Sequence, residues 1–485
     1  MQPSITRGIE RRLCAQKHGL TAEHLRYTSP MSQVSDKLRP LMIGIALAAA
    51  LGSQGCGIAP EGIVKERIVL ISLDTLRLDS FTGTAERESS MPITRAFFEG
   101  GQRFNQFYSS CATTQPSHAS LFTGLHPWRH RVVRNGTVLN QEHETLAELL
   151  QESGFETTAV VASFPLHSRF GYAQGFESFD DDFAIALEAG KRNWMGNKLE
   201  GKFYSLADDV TTRALKALDA LQSEQQFLWV HYYDPHTPYG DSTDAPVDLS
   251  SLRTALRKAP QYKEAAIERV RRLYEKDILH LDSALGRLFL RLQADADEYV
   301  THIIVVSDHG ESFGESNSLG HGSRLTQEQI HVPLAIISPL GFSAKGRSRR
   351  DVSGMVDLYS TILKLAHLTA PVQAQGRDLL ATERGFAYGM RRVPVGGSAP
   401  EKRADGSTVM IEGSRFFIVE KDTILSGNAE LVLENDDQEA QLDATHLRKI
   451  QLLFRTFQAE LDDNEIETLE DAETVDALRA LGYVE

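Results

Sequence analysis

Three apolar runs in this 485-residue chain end directly in side chains that can hold a metal ion or move a proton. RIVLISL (Arg67 to Leu73) runs into DTLRLD and supplies Asp74, Arg77 and Asp79. QFLWVHYYD (Gln226 to Asp234) runs into PHTPY and supplies Asp234 and His236. YVTHIIVVSDHG (Tyr299 to Gly310) continues as ESFGESNSLGHG and supplies Asp308, His309, Glu311 and His321. One such ending is ordinary loop polarity. Three converging on one sheet edge suggest a site, because open α/β sheets bind ligands at the carboxyl ends of their strands. The adjacent carboxylate and imidazole of Asp308 and His309 suit one borderline divalent ion, with Zn or Mn favoured over Ca. Each residue also has a structural alternative: Asp74 as a helix cap, Asp308 and His309 as an ordinary loop, His321 as a surface histidine between Gly320 and Gly322.

A fourth segment, CATTQPSHASLFTG (Cys111 to Gly124), carries a hydroxyl in a suggestive place. Pro116 and Ser117 fit a helix start and Gly124 a helix end. Thr114 then lies just before a helix N-terminus, where the dipole and free N–H groups favour a phosphate- or sulfate-like oxyanion. A hydroxyl held there against a metal ion can lose its proton near neutral pH and become a nucleophile. Without the metal motifs, Thr113 or Thr114 would read simply as a cap.

These segments need a scaffold. At 41% hydrophobic the chain can bury a large core, and one large domain with a smaller appendage is expected. Short apolar, β-branched runs alternate with helical patterns, the mark of parallel strands covered by helices. The other runs are TTAVVA (Thr157 to Ala162) and PLAIIS (Pro333 to Ser338), with a helix over Glu144 to Gly154 and long surface helices between Leu249 and Leu292. After about Phe386 the alternation weakens. Ser407 to Glu420 reads as two strands joined by a Glu-Gly-Ser turn, and Thr445 to Leu461 as an amphipathic helix.

The net charge of −15, without a dense basic run, excludes nucleic acid as an expected partner. Cys14, Cys56 and Cys111 have neither metal-finger nor disulfide-framework spacing. Lys37 and Arg39 precede the apolar stretch Leu41 to Gly52, which ends in small residues before Cys56. That pattern fits a secretory or bacterial lipoprotein-like segment better than a membrane span. Residues 1–30 then read as an extension upstream of a second start at Met31, and 31–56 as the export segment. Periplasmic export, with membrane anchoring through Cys56, is the expected localisation, and a buried N-terminal helix is the alternative.

From about Arg67 to Leu380 the chain resembles the sulfatase family, in the sulfatase-like branch of the alkaline phosphatase superfamily. DTLRLD resembles its first metal motif, PSHASLFTGLHPWRHRV its nucleophile signature, DPHTPY its catalytic histidine motif and SDHGESFGE its second metal motif. VDLYSTILKLAHL, GRDLL and ELVLENDDQEA follow in the family's order. The resemblance implies an α/β fold: an alkaline phosphatase-like sandwich with a mostly parallel central sheet over residues 57–385, and a small C-terminal α+β subdomain over 386–485. It implies metal ligation by Asp74, Asp308, His309 and Thr114, with Thr114 as nucleophile. His236 and His321 would bind the substrate oxyanion or protonate the leaving group. His118 and Arg77 fall on the substrate side of the site, with a structural role as the alternative for Arg77.

Several residues depart from the family pattern. Threonine stands where sulfatases carry the cysteine or serine that becomes formylglycine, and oxidising a threonine gives a ketone instead. His118 replaces the arginine after the Pro-Ser pair, Thr75 stands where a second aspartate is common, and VASFPLHSRFG has no Gly-Lys-Trp motif. These departures resemble the phosphodiesterases, phosphopentomutases and phosphoethanolamine transferases of the superfamily. A hydrolase of phosphate or sulfate esters, phosphoesters and phosphodiesters favoured, is therefore expected, acting on an anionic ester that a glycan or lipid could carry. The alternatives are a phosphoethanolamine-type transferase acting on cell-surface glycan or lipid, and a non-catalytic binder of sulfated or phosphorylated glycan.

Overall fold

Eight strands of the computed structural model form one mixed sheet: β1 (Lys65–Leu73), β2 (Gln102–Phe104), β3 (Glu156–Val160), β4 (Ser178–Asp180), β5 (Gln225–Tyr232), β6 (Tyr299–Ser307), β7 (Leu334–Ile337) and β8 (Ser348–Arg349). The structure describes residues 65–186, 193–194, 197–198, 202–240, 247–315, 318–322, 324–339, 348–381, 386–394, 401–402, 408–409, 412–420, 423–427, 432–434, 438–439 and 444–462. All of them belong to the unit Ala59–Glu485. The expected export segment and upstream extension, with Cys14 and Cys56, lie outside the described residues. No helix among the described residues is long and apolar enough to cross a membrane.

The strand order is β8-β2-β7-β6-β1-β5-β3-β4. β1 lies at its middle, parallel to β5 on one side and β6 on the other. Ile68 to Ile71 are fully buried, which is why these strands read as continuous apolar runs rather than alternating ones. The sheet is mostly parallel, as expected, with one exception. β7, the PLAIIS run, is antiparallel to both β6 and β2. An apolar run carries no mark of strand direction; only its connections do.

Helices α1 (Pro92–Phe97), α2 (Thr114–Thr123), α3 (Leu146–Glu152), α4 (Ala207–Ala220), α5 (Lys263–Ala294) and α6 (Val356–Leu365) accompany this sheet. The segment expected to be surface helix contains α5, but a stripe from Val270 to Leu292 faces the core. Asp282 on that stripe accepts the Ile93 and Thr94 amides at 2.7 and 2.8 Å, so α5 caps the N-terminus of α1 across the fold.

α2 begins at Thr114, two residues before the expected start at Pro116. Pro116 is tolerated inside the first turn because N–H groups there have no intrahelical acceptor. The helix ends as its sequence suggests: Gly124 is left-handed, with φ 66°, and its N–H reaches the Ser120 carbonyl at 3.0 Å. A Cβ at Gly124 would lie 2.6 Å from Tyr359 Cδ1. Gly124→Ala should therefore cost about 2–4 kcal/mol, left-handed strain added to overpacking, read as a lower urea midpoint with an unchanged slope.

The C-terminal strands β9 (Phe386–Pro394), β10 (Glu412–Glu420), β11 (Thr423–Gly427), β12 (Val432–Glu434) and β13 (Gln438–Glu439) make a separate antiparallel sheet. The expected Glu-Gly-Ser turn is instead strand: Gly413 and Ser414 pair with Val393 and Arg392 within β10. Helix α7 (Ala444–Asp462) packs on this sheet, and Phe416, Phe454 and Phe457 join Trp128 of the preceding domain in one apolar cluster.

Candidate active site

Register assembles the site. Leu73 pairs with Ser307 on one side and Tyr232 on the other, so the residues that follow each leave the sheet at one edge. Asp74 and Asp308 are thereby neighbours, both buried. The chain then turns sharply. Thr75 adopts φ 55°, unfavourable for a β-branched residue, and is held there from both sides. Its N–H donates to Asp308 Oδ1 at 3.2 Å, and its carbonyl accepts the Tyr274 hydroxyl at 2.9 Å.

Asp74, Asp308 and His309 bring one ligand atom each to within 4.8 Å of one another. His309 Nε2 lies 3.7 Å from Asp74 Oδ1 and 3.6 Å from Asp308 Oδ2. Its other nitrogen, Nδ1, donates to the Gly310 carbonyl at 3.0 Å, leaving the Nε2 lone pair directed at the carboxylates. Burial holds this imidazole well below its ordinary pKa, hence neutral, as a ligand must be. Thr114 Oγ1, fully buried, is 3.5 Å from the same Nε2. Asp308 Oδ2 is buried and accepts no hydrogen bond, and burial together with Asp74 drives the Asp308 carboxyl well above the usual carboxylate range. Two buried carboxylates side by side, a neutral imidazole and a hydroxyl form an oxygen-and-nitrogen donor set that fits a divalent cation.

The helix N-terminus is less open than its sequence suggests. The Gln115 N–H is taken by Asn135 Oδ1 at 2.9 Å.

His118 does not face outward. Its Nδ1 donates to the Thr114 carbonyl at 2.9 Å, and its Nε2 meets Ser72 Oγ at 3.0 Å. Ser72 Oγ in turn accepts the Trp229 indole N–H at 3.0 Å. The histidine thus ties the Thr114 backbone to the sheet from the buried side.

His231, inside the β5 run, was not singled out by its sequence position. A single imidazole in an apolar strand carries no spacing signal. Its Nε2 lies 3.6 Å from Asp74 Oδ2, and its Nδ1 accepts the Ala162 N–H at 3.3 Å. Burial lowers it to about 3, so it is neutral with its proton on Nε2, facing Asp74. His118, His231 and Asp308 also come within ligand distance as a second cluster. The hydrogen bonds place protons on the nitrogens that face the aspartates, which makes these two histidines donors rather than ligands.

Arg77 is committed elsewhere. Its guanidinium pairs with Asp79 at 2.7 Å and Glu315 at 3.0 Å, and donates to the Glu311 carbonyl at 2.8 Å. It pins the loop after β1 to the loop after β6, the structural role that its sequence left open.

His321 packs against His309, and His236 against His321. Ring centroids are 4.4 Å apart for His309 and His321, and 5.1 Å for His236 and His321. His236 Nδ1 donates to the Thr237 carbonyl at 2.7 Å, which leaves its Nε2 as the acceptor nitrogen. Burial and the neighbouring His321 hold His236 well below its ordinary pKa.

Asp234 stays outside the Asp74–Asp308–His309 group: its Oδ1 accepts the Ala207 N–H at 2.8 Å, at the start of α4. Burial pushes its carboxyl up to about 7. The folded protein then holds a proton that the unfolded chain releases near pH 4. The Asp234 contribution to stability should fall as pH rises from about 4 to 7 and level off above, a swing of up to about 4 kcal/mol. Asp234→Asn keeps an acceptor for Ala207 and should flatten that dependence. Urea melts at about pH 5 and about pH 8 check it: an equal slope in both proteins would remove Asp234 as the cause.

A family model described as Sulfatase matches residues 66–368. The "Multifunctional alkaline phosphatase superfamily protein PehA" of Trinickia caryophylli is 24% identical over 396 residues, 66% of this chain and 77% of that protein. "Arylsulfatase K" of Xenopus laevis is 23% identical over 331 residues, and the match spans 60% of this chain and 61% of that protein. Among solved structures, the phosphonate monoester hydrolase SpPMH from Silicibacter pomeroyi superposes with a TM-score of 0.59 at 18% identity, covering 84% of this chain and 97% of that one. BT4656, solved in complex with its substrate D-glucosamine-2-N,6-O-disulfate, gives a TM-score of 0.59 at 17% identity, covering 83% and 99%. These superpositions establish a shared fold.

Proposed function

The chain belongs to the sulfatase family, and on that premise we propose that it hydrolyses phosphate esters, phosphodiesters above all, with Thr114 as the attacking group. The observation that carries this reading is the buried Thr114 hydroxyl, 3.5 Å from His309 Nε2 and beside the Asp74–Asp308 pair. A threonine cannot become formylglycine, so the hydroxyl itself must form the covalent bond. Relatives on both sides of the sulfur–phosphorus divide, arylsulfatases and a multifunctional alkaline phosphatase superfamily protein, are compatible with this scaffold.

Asp74, Asp308, His309 and Thr114 would hold one divalent cation, Zn or Mn in preference to Ca given the imidazole. Bound there, the cation supplies Lewis acidity to the ester and lowers the pKa of the Thr114 hydroxyl. The chain's residues do the rest. His118 fixes the Thr114 backbone through its carbonyl, and His231 faces the far oxygen of Asp74. His236 and His321 flank the position of the ester oxygens and the leaving group. Thr114 Oγ1 displaces the leaving group to give a threonyl ester, and water then releases it. Export to the periplasm, anchoring at Cys56 and a glycan- or lipid-borne ester belong to the same proposal.

The test uses full-length protein loaded with Zn or Mn against bis(p-nitrophenyl) phosphate, p-nitrophenyl phosphate, a phosphonate monoester and p-nitrophenyl sulfate. The diester is expected to show the highest kcat/KM. A preference for the sulfate ester would overturn the phosphoester reading, and absence of turnover on the whole panel would overturn the hydrolase.

A further inference from the structure

The loop after β6 folds back on itself as a two-stranded ribbon, Ser312–Phe313 against Leu319–Gly320. Ser312 pairs with Gly320 and Phe313 with Leu319. Continuing that antiparallel register outward by one residue sets Glu311 opposite His321, ten positions later in the chain. The side chains meet accordingly: His321 Nδ1 is 3.3 Å from both Glu311 carboxylate oxygens. The carboxylate is fully buried, and its Oε2 accepts the Tyr239 hydroxyl at 2.6 Å. Its backbone carbonyl takes the Arg77 guanidinium, and Gln329 Nε2 holds Ser312 Oγ at 2.9 Å and the Gly320 carbonyl at 3.3 Å, locking both sides of the ribbon. A buried carboxylate with so much support around it is aimed at one imidazole nitrogen.

Resting on the hydrolase reading above, we propose that Glu311 is the positioning residue of a Tyr239–Glu311–His321 relay, in which His321 is the general acid and base at the leaving group. Glu311 keeps the proton on Nδ1, so Nε2 is the nitrogen that exchanges protons with the substrate. In the first step the Thr114 alkoxide forms its bond to phosphorus. The bond to the leaving oxygen breaks, and the Nε2 proton of the imidazolium passes to that oxygen. In the second step a water places its oxygen on phosphorus and returns a proton to Nε2, and the Thr114 alkoxide departs. Protons and charge balance over the cycle. His236, with Nδ1 committed to the Thr237 carbonyl, is assigned to the ester oxygens.

The relay makes the effect of Glu311 depend on the leaving group. In metal-loaded protein, Glu311→Ala should lower kcat by roughly 10²- to 10³-fold on a dialkyl phosphodiester, whose leaving group is an alkoxide. On bis(p-nitrophenyl) phosphate, whose leaving group needs little protonation, the loss should stay under about tenfold, with KM little changed in both cases. Glu311→Gln, which keeps an acceptor oxygen, should recover part of the loss, and Tyr239→Phe should show a smaller loss of the same kind. The double variant Glu311→Ala with His321→Ala should be no slower than His321→Ala alone. Equal losses on both leaving groups, or additive losses in the double variant, would overturn the relay. A separate arm needs no turnover: ¹⁵N spectra of histidine-labelled protein should show an Nδ1–H imidazole for His321 that changes tautomer balance in Glu311→Ala. An unchanged His321 signal there would overturn the relay, whereas a wild type inert on every ester would overturn the hydrolase reading instead. If Glu311→Ala does not fold, Glu311→Gln and Tyr239→Phe carry the same comparisons.

Discussion

Thr114→Ala should lower turnover of an aryl phosphodiester by roughly 10⁴- to 10⁶-fold, the scale seen when a covalent nucleophile is deleted. The neighbouring hydroxyls cannot substitute. Ser117 Oγ donates to the Asp308 carbonyl at 2.7 Å, and Ser109 Oγ to the Cys111 carbonyl at 2.7 Å, so both serve the backbone around the site. Cys111 lies three residues upstream, buried, with its thiol raised to about 11 by desolvation, and is no thiolate reserve. Thr114→Ser keeps the hydroxyl and should retain most of the rate. Steady-state kinetics on metal-loaded protein, with intact mass after rapid quench to look for a phosphorylated chain, reads both outcomes. An alanine variant as fast as the wild type would remove Thr114 from the mechanism.

Asp308→Asn should separate stability from function. In the metal-free protein two buried carboxyl groups face one another, and burial with Asp74 beside it makes the fold hold a proton on Asp308 that the unfolded chain releases. An uncharged asparagine removes that cost. Asparagine keeps the acceptor oxygen that receives the Thr75 and His309 amides at 3.2 and 2.7 Å, so the loop geometry survives. Metal-free Asp308→Asn is therefore expected to be more stable than metal-free wild type by on the order of 1–3 kcal/mol. The order reverses on loading: wild type should gain about 2.7 kcal/mol at a cation concentration a hundred times Kd, and the variant close to nothing. Thermal melts with EDTA, Zn and Mn, together with metal analysis, measure both effects. Wild-type metal stoichiometry in the variant would take Asp308 out of the ligand set.

The candidate site groups were legible as residue types at strand ends. An apolar β-branched run followed without a turn by Asp74, or by Asp308 and His309, marks where a buried strand meets polar chemistry, and the family resemblance supplied the order. Local pattern also announced the glycine that ends α2 and the amphipathic helix near the C-terminus. What it could not contain was partnership. A run such as β7 is equally apolar in either direction, so its antiparallel pairing is decided by connections and packing. Gly413 and Ser414, turn formers in isolation, are held in strand by β9.

The same limit applies within the site. Taken alone, the sequence determined the donor types, the threonine in place of a formylglycine precursor, and the strand edges that carry them. Tertiary structure alone decided that His118 turns inward to the Thr114 carbonyl, that His231 faces Asp74, that Arg77 is spent on Asp79 and Glu315, and that Glu311 meets His321 across a ribbon. The physical reason is that residue identity sets which bonds a side chain can make. Register and burial, which depend on residues far away in the chain, set which of those bonds are within reach.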